Sequence, residues 1–344
     1  MTTRIAVVGG FLGAGKTTLI LHAARKLAER GYRVGLVTND QGQGLVDTAL
    51  AEEASIAVTE VAGGCFCCRF PDLMAGLQRL QDVAQPDLIL AEPVGSCTDL
   101  VATVLRPLVQ FYGEQYELAP LTVLLDASRT LEDFPADVRY LYEQQVAEAE
   151  ILLLSKSDLS SVPPCLPDGR ARSVSARTGA GVDEWLASIL GQTSRNPEAL
   201  LIDYARYAEA EAALGWLNAK GHVRADTPYS ARRWTADFLA GLETLCGEQN
   251  APIAHIKALV TTPGAKFKAS ITQPSAFAWD VDIPAADTRG HEFLLNLRVH
   301  ATPALLERMA IQAIEATRPD PSSRYYLEYF ECFSPLPPKP MHRI

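Results

Sequence analysis

Residues 10–17 have the sequence GFLGAGKT, which matches the phosphate-binding pattern G-x-x-x-x-G-K-[ST]. Glycines at 10, 13 and 15 permit the positive φ angles that turn backbone N–H groups toward phosphate oxygens at a helix N-terminus. We expect Lys16 to reach the β- and γ-phosphates as a catalytic cation and the Thr17 hydroxyl to bind Mg²⁺. The alternative is a glycine-rich turn that binds nothing. It does not account for a full match placed between an apolar strand and a helix.

Three cysteines, Cys65, Cys67 and Cys68, stand within four residues of one another behind two glycines. Thiolates at this C-x-C-C spacing suit Zn²⁺, and three local sulfurs predict an open site rather than a closed four-ligand one. Asp40, a nearby histidine or a residue of a partner protein could complete it. The charge of the adjacent Arg69 is expected to favour thiolates. Two alternatives stay open: Cys65 and Cys68 also have the C-x-x-C spacing of a redox pair, and the segment could be a buried turn.

A hydrolytic nucleotide site also needs carboxylates. Glu92 ends the apolar strand DLILAE, at the sheet edge where ligands bind in open α/β folds, so it is our candidate to orient the attacking water or the magnesium shell. Asp40 and Asp47 lie in the glycine-containing stretch TNDQGQGLVD, which we predict to be a switch loop whose shape follows the γ-phosphate. Asp47 is a candidate catalytic residue there. The alternative is that Asp40 is a turn residue and Asp47 a helix cap.

The stretch LLLSKSDL is a candidate base-recognition loop. Asp158 can accept two N–H donors from a guanine edge while the Lys156 stem packs on the purine face, and the backbone of Ser175 and Ala176 can meet the base carbonyl. The complete set of candidate nucleotide-binding residues is Gly10, Gly13, Ala14, Gly15, Lys16, Thr17, Thr18, Lys156, Asp158, Ser175 and Ala176.

Several apolar strands separated by helical patterns must position these residues. The strands are RIAVVGG, RVGLVTND, DLILAEPVG, LTVLLDAS and ILLLSKSD, with a helix over residues 16–30. Strands buried on both faces predict an α/β fold with a doubly wound, mostly parallel sheet, here of the P-loop NTPase type.

The second half of the chain mixes helices and strands. Helical patterns cover RYAEAEAALGWLNAKG, TPYSARRWTADFLAGLETLCG and TPALLERMAIQAIEA, and strand patterns cover PIAHIKALV, AKFKASI and EFLLNLRVHA. This mixture predicts a smaller C-terminal α+β domain. The predicted organisation is a nucleotide-binding domain over 1–190, a linker over 191–200, an α+β domain over 201–333 and a proline-rich, irregular tail over 334–344.

A net charge of −10 argues against nucleic-acid partners and anionic membranes. No apolar run spans a bilayer and the start of the chain has no secretory pattern, so we expect a cytoplasmic protein without a membrane partner. Seven cysteines, an odd number with three crowded together, do not form a disulfide framework. The other four, Cys97, Cys165, Cys246 and Cys332, are expected to be small hydrophobic residues.

The motifs GFLGAGKTT, NDQGQGLVD, AGGCFCC, EPVG, SKSD and SARTG occur in this order. With them, the first half of the chain resembles the CobW-type branch of the CobW/HypB/UreG family of P-loop metallochaperone GTPases. The resemblance implies a GTPase that uses Mg²⁺ and binds Zn²⁺ or Co²⁺ through Cys65, Cys67 and Cys68. It also implies that GTP binding and hydrolysis are coupled to metal transfer to a client metalloprotein or a cobalamin-related protein.

The chain departs from that family's pattern at two motifs. Ser155 replaces the asparagine of N-K-x-D, so a side-chain brace of the base loop should be lost and guanine selectivity weakened. Residues 39–43 are NDQGQ where the family has N-E-[FY]-G-E. Asp40 has a shorter side chain than the glutamate of the family pattern, and Gln43 has a neutral amide where the pattern has a carboxylate. These changes predict weaker metal binding or a different metal.

Three functional hypotheses follow. The first is a GTP-hydrolysing metallochaperone. The second is a nucleotide-gated chaperone or metal sensor that acts on a cobalamin-related partner with little hydrolysis. The third is an ATP-dependent enzyme, which the Ser155 departure motivates. The sequence leaves the metal, the client and homodimerisation open.

Overall fold

The structure is a computed structural model that describes residues 2–39, 56–129, 135–159, 170–273, 275–281 and 283–344. Within these ranges the chain forms two compact units. The first contains the described residues up to 210 together with 337–344, and the second contains 211–336. The predicted switch residues Asp40 and Asp47 lie outside the described ranges.

The first unit alternates strands with helices. Its elements in chain order are β1 (Thr3–Gly10), α1 (Lys16–Glu29), β2 (Val34–Asn39), β3 (Ala57–Val61), α2 (Phe70–Ala84), β4 (Leu88–Glu92), a π-helical turn (Val101–Leu105), α3 (Arg106–Tyr112), β5 (Tyr116–Leu118), β6 (Thr122–Asp126), α4 (Ala136–Glu148), β7 (Ile151–Ser155), β8 (Arg172–Ser173), α5 (Val182–Gly191) and α6 (Tyr204–Ala212).

The strands form one sheet in the order β3-β2-β4-β1-β6-β7-β8, with β5 also paired to β1. Every strand pair among the described residues of this sheet is parallel. The predicted doubly wound α/β fold is therefore confirmed. Because parallel strands end at the same edge of a sheet, the last residues of five strands share one edge. They are Gly10, Asn39, Glu92, Asp126 and Ser155.

Burial explains why this sheet forms. All five residues of β4, β6 and β7 are buried, as expected for strands covered on both faces. The sequence did not predict β3, β5 and β8. The strands β5 and β8 have only three and two residues, and β3 is an edge strand with half-buried positions. Such strands carry too weak an apolar pattern to be predicted.

The second unit is an antiparallel sheet packed against two helices. Its elements are β9 (Gly215–Tyr229), α7 (Ala231–Glu248), β10 (Ile253–Thr262), β11 (Ala265–Ile271), β12 (Phe277–Val281), β13 (Thr288–Val299), α8 (Pro303–Ala316) and β14 (Arg324–Phe333). The strand order is β12-β11-β10-β13-β9-β14. Aromatic residues of α7 and β13, including Trp234, Phe238 and Phe293, pack together in its core. The predicted α+β class of this half is confirmed.

One helix of this half was predicted too long. The pattern RYAEAEAALGWLNAKG predicts a helix over 206–221, but α6 ends at Ala212 and β9 begins at Gly215. The strand β9 pairs with β13 on one side and β14 on the other. Backbone pairing on both sides of a central strand overrides the helical propensity of Leu217 and Ala219.

Residues 192–203 and 334–344 contain neither helix nor strand. The irregular conformation predicted for the proline-rich tail is present, and residues 337–344 pack within the first unit. No helix in the described part of the chain is long and apolar enough to cross a membrane.

Candidate functional site

The phosphate loop has the backbone conformation that its glycines permit. Gly10, Gly13 and Gly15 have φ angles of 131°, 79° and 85°. A Cβ at Gly10 would lie 2.4 Å from the carbonyl oxygen of Leu124, so only glycine fits beside β6. At Gly15 a Cβ would meet nothing within 4 Å, so the N-terminus of α1 is open to a phosphate.

Lys16, Thr17 and Glu92 lie together at this loop. The Thr17 hydroxyl donates to Glu92 Oε1 at 3.0 Å, and Lys16 Nζ lies 4.0 Å from the same oxygen and donates to the carbonyl of Gly10 at 2.9 Å. All three side chains are buried, whereas the next residue, Thr18, is exposed. A hydroxyl beside a carboxylate offers the hard oxygen ligands that Mg²⁺ prefers, so these residues fit a magnesium ion.

Ser155, at the end of β7, braces the base loop. Its hydroxyl lies 2.6 Å from the carbonyl oxygen of Ala14 and 3.0 Å from that of Leu125. The asparagine amide of the family pattern is absent, and the Ser155 hydroxyl makes these contacts in its place. The shorter hydroxyl reaches the phosphate loop because the ends of β7 and β1 lie at the same edge of the sheet.

The other candidate base-binding residues lie on neighbouring loops at this edge. Lys156 has a positive φ of 56°, and its Nζ donates to Asp126 Oδ2 at 2.6 Å. The exposed Asp158 accepts the Ser175 hydroxyl at 2.6 Å, and the half-buried Ala176 follows Ser175. The structure thus brings Asp158, Ser175 and Ala176 together and fixes Lys156 beside them.

The three cysteines of the motif occupy a single turn before α2. Backbone N–H groups of Cys68 and Arg69 both donate to the carbonyl of Cys65 at 3.0 and 2.9 Å, and this turn gathers the sulfurs. The Sγ–Sγ distances are 2.8 Å for Cys65–Cys67, 3.2 Å for Cys65–Cys68 and 3.8 Å for Cys67–Cys68. Arg69 forms an ion pair with Asp72 at 2.5 Å, so its charge is already shared with a carboxylate.

The three sulfurs fit a tetrahedral metal ion. With Zn–S bonds of about 2.3 Å, sulfurs around zinc lie about 3.8 Å apart, so the two shorter edges need to open by about 1 Å or less. Cys65 and Cys67 are buried, and Cys68 is half-buried. Thiolates on one turn with one partly exposed member suit a soft or borderline ion that enters and leaves.

Hydrogen bonds within the cluster set which sulfur ionises first. Those with the thiols of Cys67, Cys68 and Cys97 hold the pKa of Cys65 well below its usual value. The hydrogen bond with Cys65, together with burial, raises the pKa of Cys67 well above the usual value. The hydrogen bond with Cys65 also raises the pKa of Cys68 to about 11. Of the three thiols, that of Cys65 therefore has the lowest pKa and gives up its proton first.

Asn39, the last residue of β2, holds the cysteine turn. Its Nδ2 donates to the carbonyls of Val61 at 2.8 Å and Gly64 at 2.7 Å, and its Oδ1 accepts the N–H of Phe66 at 3.0 Å. Its neighbour on β2, Thr38, pairs with Glu92 in the sheet. The strand that precedes the predicted switch is thereby joined to the cysteine turn.

Residues 337–344 lie against the same turn. The Lys339 N–H donates to Cys68 Sγ at 3.1 Å, and the Met341 N–H donates to the Cys67 carbonyl at 3.0 Å. A backbone donor to sulfur stabilises a thiolate. This segment therefore contributes to the surroundings of the cysteine motif.

Side chains anchor this segment in the first unit. Arg343 Nε donates to Asp99 Oδ2 at 2.8 Å, and the Tyr204 hydroxyl donates to the same oxygen at 2.6 Å. The His342 ring packs edge-on against Phe70, with centroids 5.1 Å apart. These contacts hold the backbone of 339–343 in place over the turn.

Three residues of the site were not predicted from the sequence. Asn39 and Asp126 end strands at the sheet edge where ligands bind, so strand position was an available signal. Arg129 donates to the Leu12 carbonyl of the phosphate loop at 3.1 Å. Nothing in the local sequence indicates that contact.

Residues 4–166 match the model of the CobW/HypB/UreG nucleotide-binding domain. The chain is 33% identical over 164 residues to the zinc chaperone YeiR of Escherichia coli (strain K12), across 45% of this chain and 47% of YeiR. It is 27% identical over 176 residues to the zinc chaperone YjiA of the same organism, across 49% of this chain and 54% of YjiA. The chain thus spans about half the length of these curated relatives.

Among solved structures, HypB from Helicobacter pylori in complex with nickel matches with a TM-score of 0.42 and 16% identity. The match covers 55% of this chain and 86% of the HypB chain.

Proposed function

We propose that this chain, whose residues 4–166 match the model of the CobW/HypB/UreG nucleotide-binding domain, is a GTP-hydrolysing metallochaperone that delivers a transition metal to a client protein or cofactor pathway. One observation carries the proposal: three cysteine sulfurs lie within 4.8 Å of one another in the same unit as the phosphate loop. Asn39 and Glu92, at the ends of neighbouring strands, contact the cysteine turn and Thr17 respectively.

The proposed cargo is Zn²⁺, with Co²⁺ as the alternative, held by Cys65, Cys67 and Cys68. Sulfur ligands favour both ions over Mg²⁺ or Ca²⁺. Similar proteins are named zinc chaperones, which supports zinc as the first candidate. Each thiol releases a proton to solvent as its sulfur binds the ion, so loading releases protons.

The proposed nucleotide is GTP with Mg²⁺. Bound Mg²⁺ would offset the negative charge of the phosphates. Thr17 would hold the ion, and Glu92 would position water or the ion's shell. Lys16 shifts from the loop carbonyls to the phosphates, and Asp158 accepts the guanine N–H groups. The candidate role of Asp47 in catalysis and that of Asp40 as an accessory metal ligand stay predictions.

The test measures GTP turnover and bound zinc in the wild type, in the Cys65/Cys67/Cys68→Ser variant and in Lys16→Ala. We expect the triple variant to lose zinc and Lys16→Ala to lose turnover. Cys246→Ser, in the core of the second unit, is the matched control and should keep both. Unchanged zinc binding in the triple variant contradicts the metal assignment. Persistent hydrolysis in Lys16→Ala contradicts the nucleotide assignment.

A second candidate function is a nucleotide-gated chaperone or metal sensor for a cobalamin-related partner with little hydrolysis. The reduced carboxylate content of residues 39–43 favours it. Phosphate release that zinc stimulates at steady state argues against it. An ATP-dependent enzyme is excluded if the protein binds GDP far more tightly than ADP.

The remaining assignments are also proposals. They are the domain boundaries at 190, 200 and 333, a cytoplasmic location, and an unidentified client without nucleic-acid or membrane partners. Whether the chain forms a homodimer stays open.

A further inference from the structure

The second unit contains a cavity lined by arginines. Its volume is about 880 Å³, and Arg224, Arg289, Arg318 and Arg324 line it. Asp226 is the single acidic residue that the described part of the chain contributes to the lining. All four arginine side chains are exposed. A chain with a net charge of −10 therefore concentrates positive charge in one cleft, where an anion is attracted.

Two of these arginines lie directly opposite each other in the sheet. Arg224 on β9 pairs with Arg324 on β14, and like charges at such positions destabilise a strand pair. Further along the same face of β9, Lys220 and His222 have a carboxylate partner, Glu328, at 2.8 and 3.7 Å. Within the described ranges no carboxylate forms an ion pair with Arg224 or Arg324. An anion from outside the chain would supply the counter-charge.

An irregularity of β9 lies beside this arginine pair. Arg224 pairs with Gly290 of β13, and the next pair joins Tyr229 to Thr288, so residues 225–228 bulge out of the ladder. A Cβ at Gly290 would lie 3.6 Å from Arg224 Cγ. Glycine at this position thus keeps the space beside the Arg224 stem open.

The turn after α8 orients a third arginine. Arg318 Nη2 donates to the carbonyl of Pro321 at 3.1 Å and to that of Ser323. Its Nη1 lies 3.5 Å from Glu315 Oε2, in an exposed ion pair that water screens strongly. The remaining N–H donors of this guanidinium are held in a fixed fork, which suits carboxylate recognition.

We propose that this cavity is the docking site for an acidic segment of the client protein, whose Asp or Glu side chains pair with the arginines. The inference gives the chemistry of the client and rests on the proposed metallochaperone function. The four arginines come from β9, β13, β14 and the turn after α8, so their charges are spread around the cavity. Separate carboxylates along a peptide match this spread, whereas one phosphate group reaches only part of it. Guanidinium groups bind carboxylates through paired N–H donors.

The first experiment measures the binding of a fluorescent oligoglutamate peptide by anisotropy, without zinc or nucleotide. Arg224→Gln and Arg324→Gln should each bind the peptide about 10-fold more weakly than the wild type, because a charge-assisted pair is lost. Lys220→Gln, which removes a charge from the same face of β9 outside the cavity, is the control and should match the wild type. Equal losses in all three variants, or no binding to the wild type, overturn the inference.

Competition in the same assay identifies the class of anion. Unlabelled oligoglutamate should displace the labelled peptide at a far lower concentration than inorganic phosphate does. The opposite order assigns the cavity to a compact phosphate group and overturns the inference. Displacement by duplex DNA at a lower concentration than by oligoglutamate also overturns it.

The outcome is separable from that of the proposed function, because the assay needs neither metal nor GTP. A wild type that loads zinc but does not bind the peptide loses only the docking site. A wild type that binds the peptide but no zinc keeps the docking site and loses the metal-transfer role. If the variants fail to fold by circular dichroism, photo-crosslinking of the wild type decides. A photoreactive oligoglutamate should label residues 224–226 or 321–326, and labels confined to other residues overturn the inference.

Discussion

The side-chain oxygen of Asn39 accepts the backbone N–H of Phe66 at 3.0 Å, which joins the end of β2 to the middle of the cysteine motif. Two more hydrogen bonds from the Asn39 amide, to Val61 and Gly64, complete the clamp. Asn39 is 7% exposed, so these bonds are shielded from water. Because β2 leads into the predicted switch, the clamp joins that strand to the cysteine motif.

Replacement of Asn39 by Ala should loosen the cysteine turn. The change leaves two carbonyls and one N–H without their partner, at a cost of about 1–3 kcal/mol for each buried group left unsatisfied. Zinc dissociation, followed with a chromophoric chelator, should accelerate. Gln78→Ala, on the exposed side of α2, is the control and should release zinc at the wild-type rate. Equal rates in Asn39→Ala and the wild type refute the clamp.

Ser155 should support nucleotide binding through the phosphate loop. Ser155→Ala removes the hydrogen bonds to the carbonyls of Ala14 and Leu125, so the affinity for GDP should fall by about 5-fold, equivalent to about 1 kcal/mol. Titration with a fluorescent nucleotide measures this affinity. Ser157→Ala on the same loop is the control. Ser155→Asn, which introduces the family residue, should bind GDP at least as well as Ser155→Ala. Wild-type affinity in Ser155→Ala would show that the brace has no role.

Glu148 should make stability depend on pH. Burial raises its pKa to about 8 from an ordinary 4.5, and the nearby Asp99 adds to the rise. The folded state therefore binds more protons than the unfolded state between these values, so stability falls as pH rises through this window. Glu148→Gln removes the effect. Its unfolding temperature relative to the wild type should increase from about pH 5 to about pH 8.

Glu143, an exposed residue on the same helix, provides the control for this measurement. Glu143→Gln should keep a constant offset from the wild type across the pH range. A constant offset for Glu148→Gln as well would mean that this carboxyl group does not titrate in the window.

The Lys339 N–H should help retain the metal. Lys339→Pro removes the donor to Cys68 Sγ without shortening the chain, and Lys339→Ala keeps it. Zinc should dissociate about 10-fold faster from the proline variant, in line with the loss of an outer-shell hydrogen bond. The alanine variant should match the wild type. Equal zinc dissociation rates for the two variants would mean that residues 337–344 have only a structural role.

The phosphate loop, the buried strands and the C-x-C-C motif could be predicted because each depends on a local pattern. Gly10 needs a positive φ, and β4 is a continuous apolar run; both are properties of a few consecutive residues. The strand β9 could not be predicted, because its pairing with β13 and β14 depends on residues far along the chain. The effect of Cys97 on the pKa of Cys65 could not be predicted for the same reason, since it exists only once β4 is placed in the sheet.

The hydrogen bond of the Ser155 hydroxyl shows a different limit of prediction from sequence. Comparison with the family pattern predicted a lost interaction from a lost amide. The hydroxyl instead reaches the Ala14 carbonyl, because the loops after β1 and β7 approach one another at the sheet edge. Side-chain replacement can preserve a contact when the distance between two backbones suits the shorter group, and a sequence does not show that distance.

Zinc transfer to a chromophoric chelator, measured with GTP and Mg²⁺ and again with GDP and Mg²⁺, tests the coupling of nucleotide to cargo most directly. The two transfer rates should differ by about 5-fold or more, the range typical of coupled sites. Lys16→Ala should remove the difference. Equal rates in the wild type with the two nucleotides would contradict the coupling.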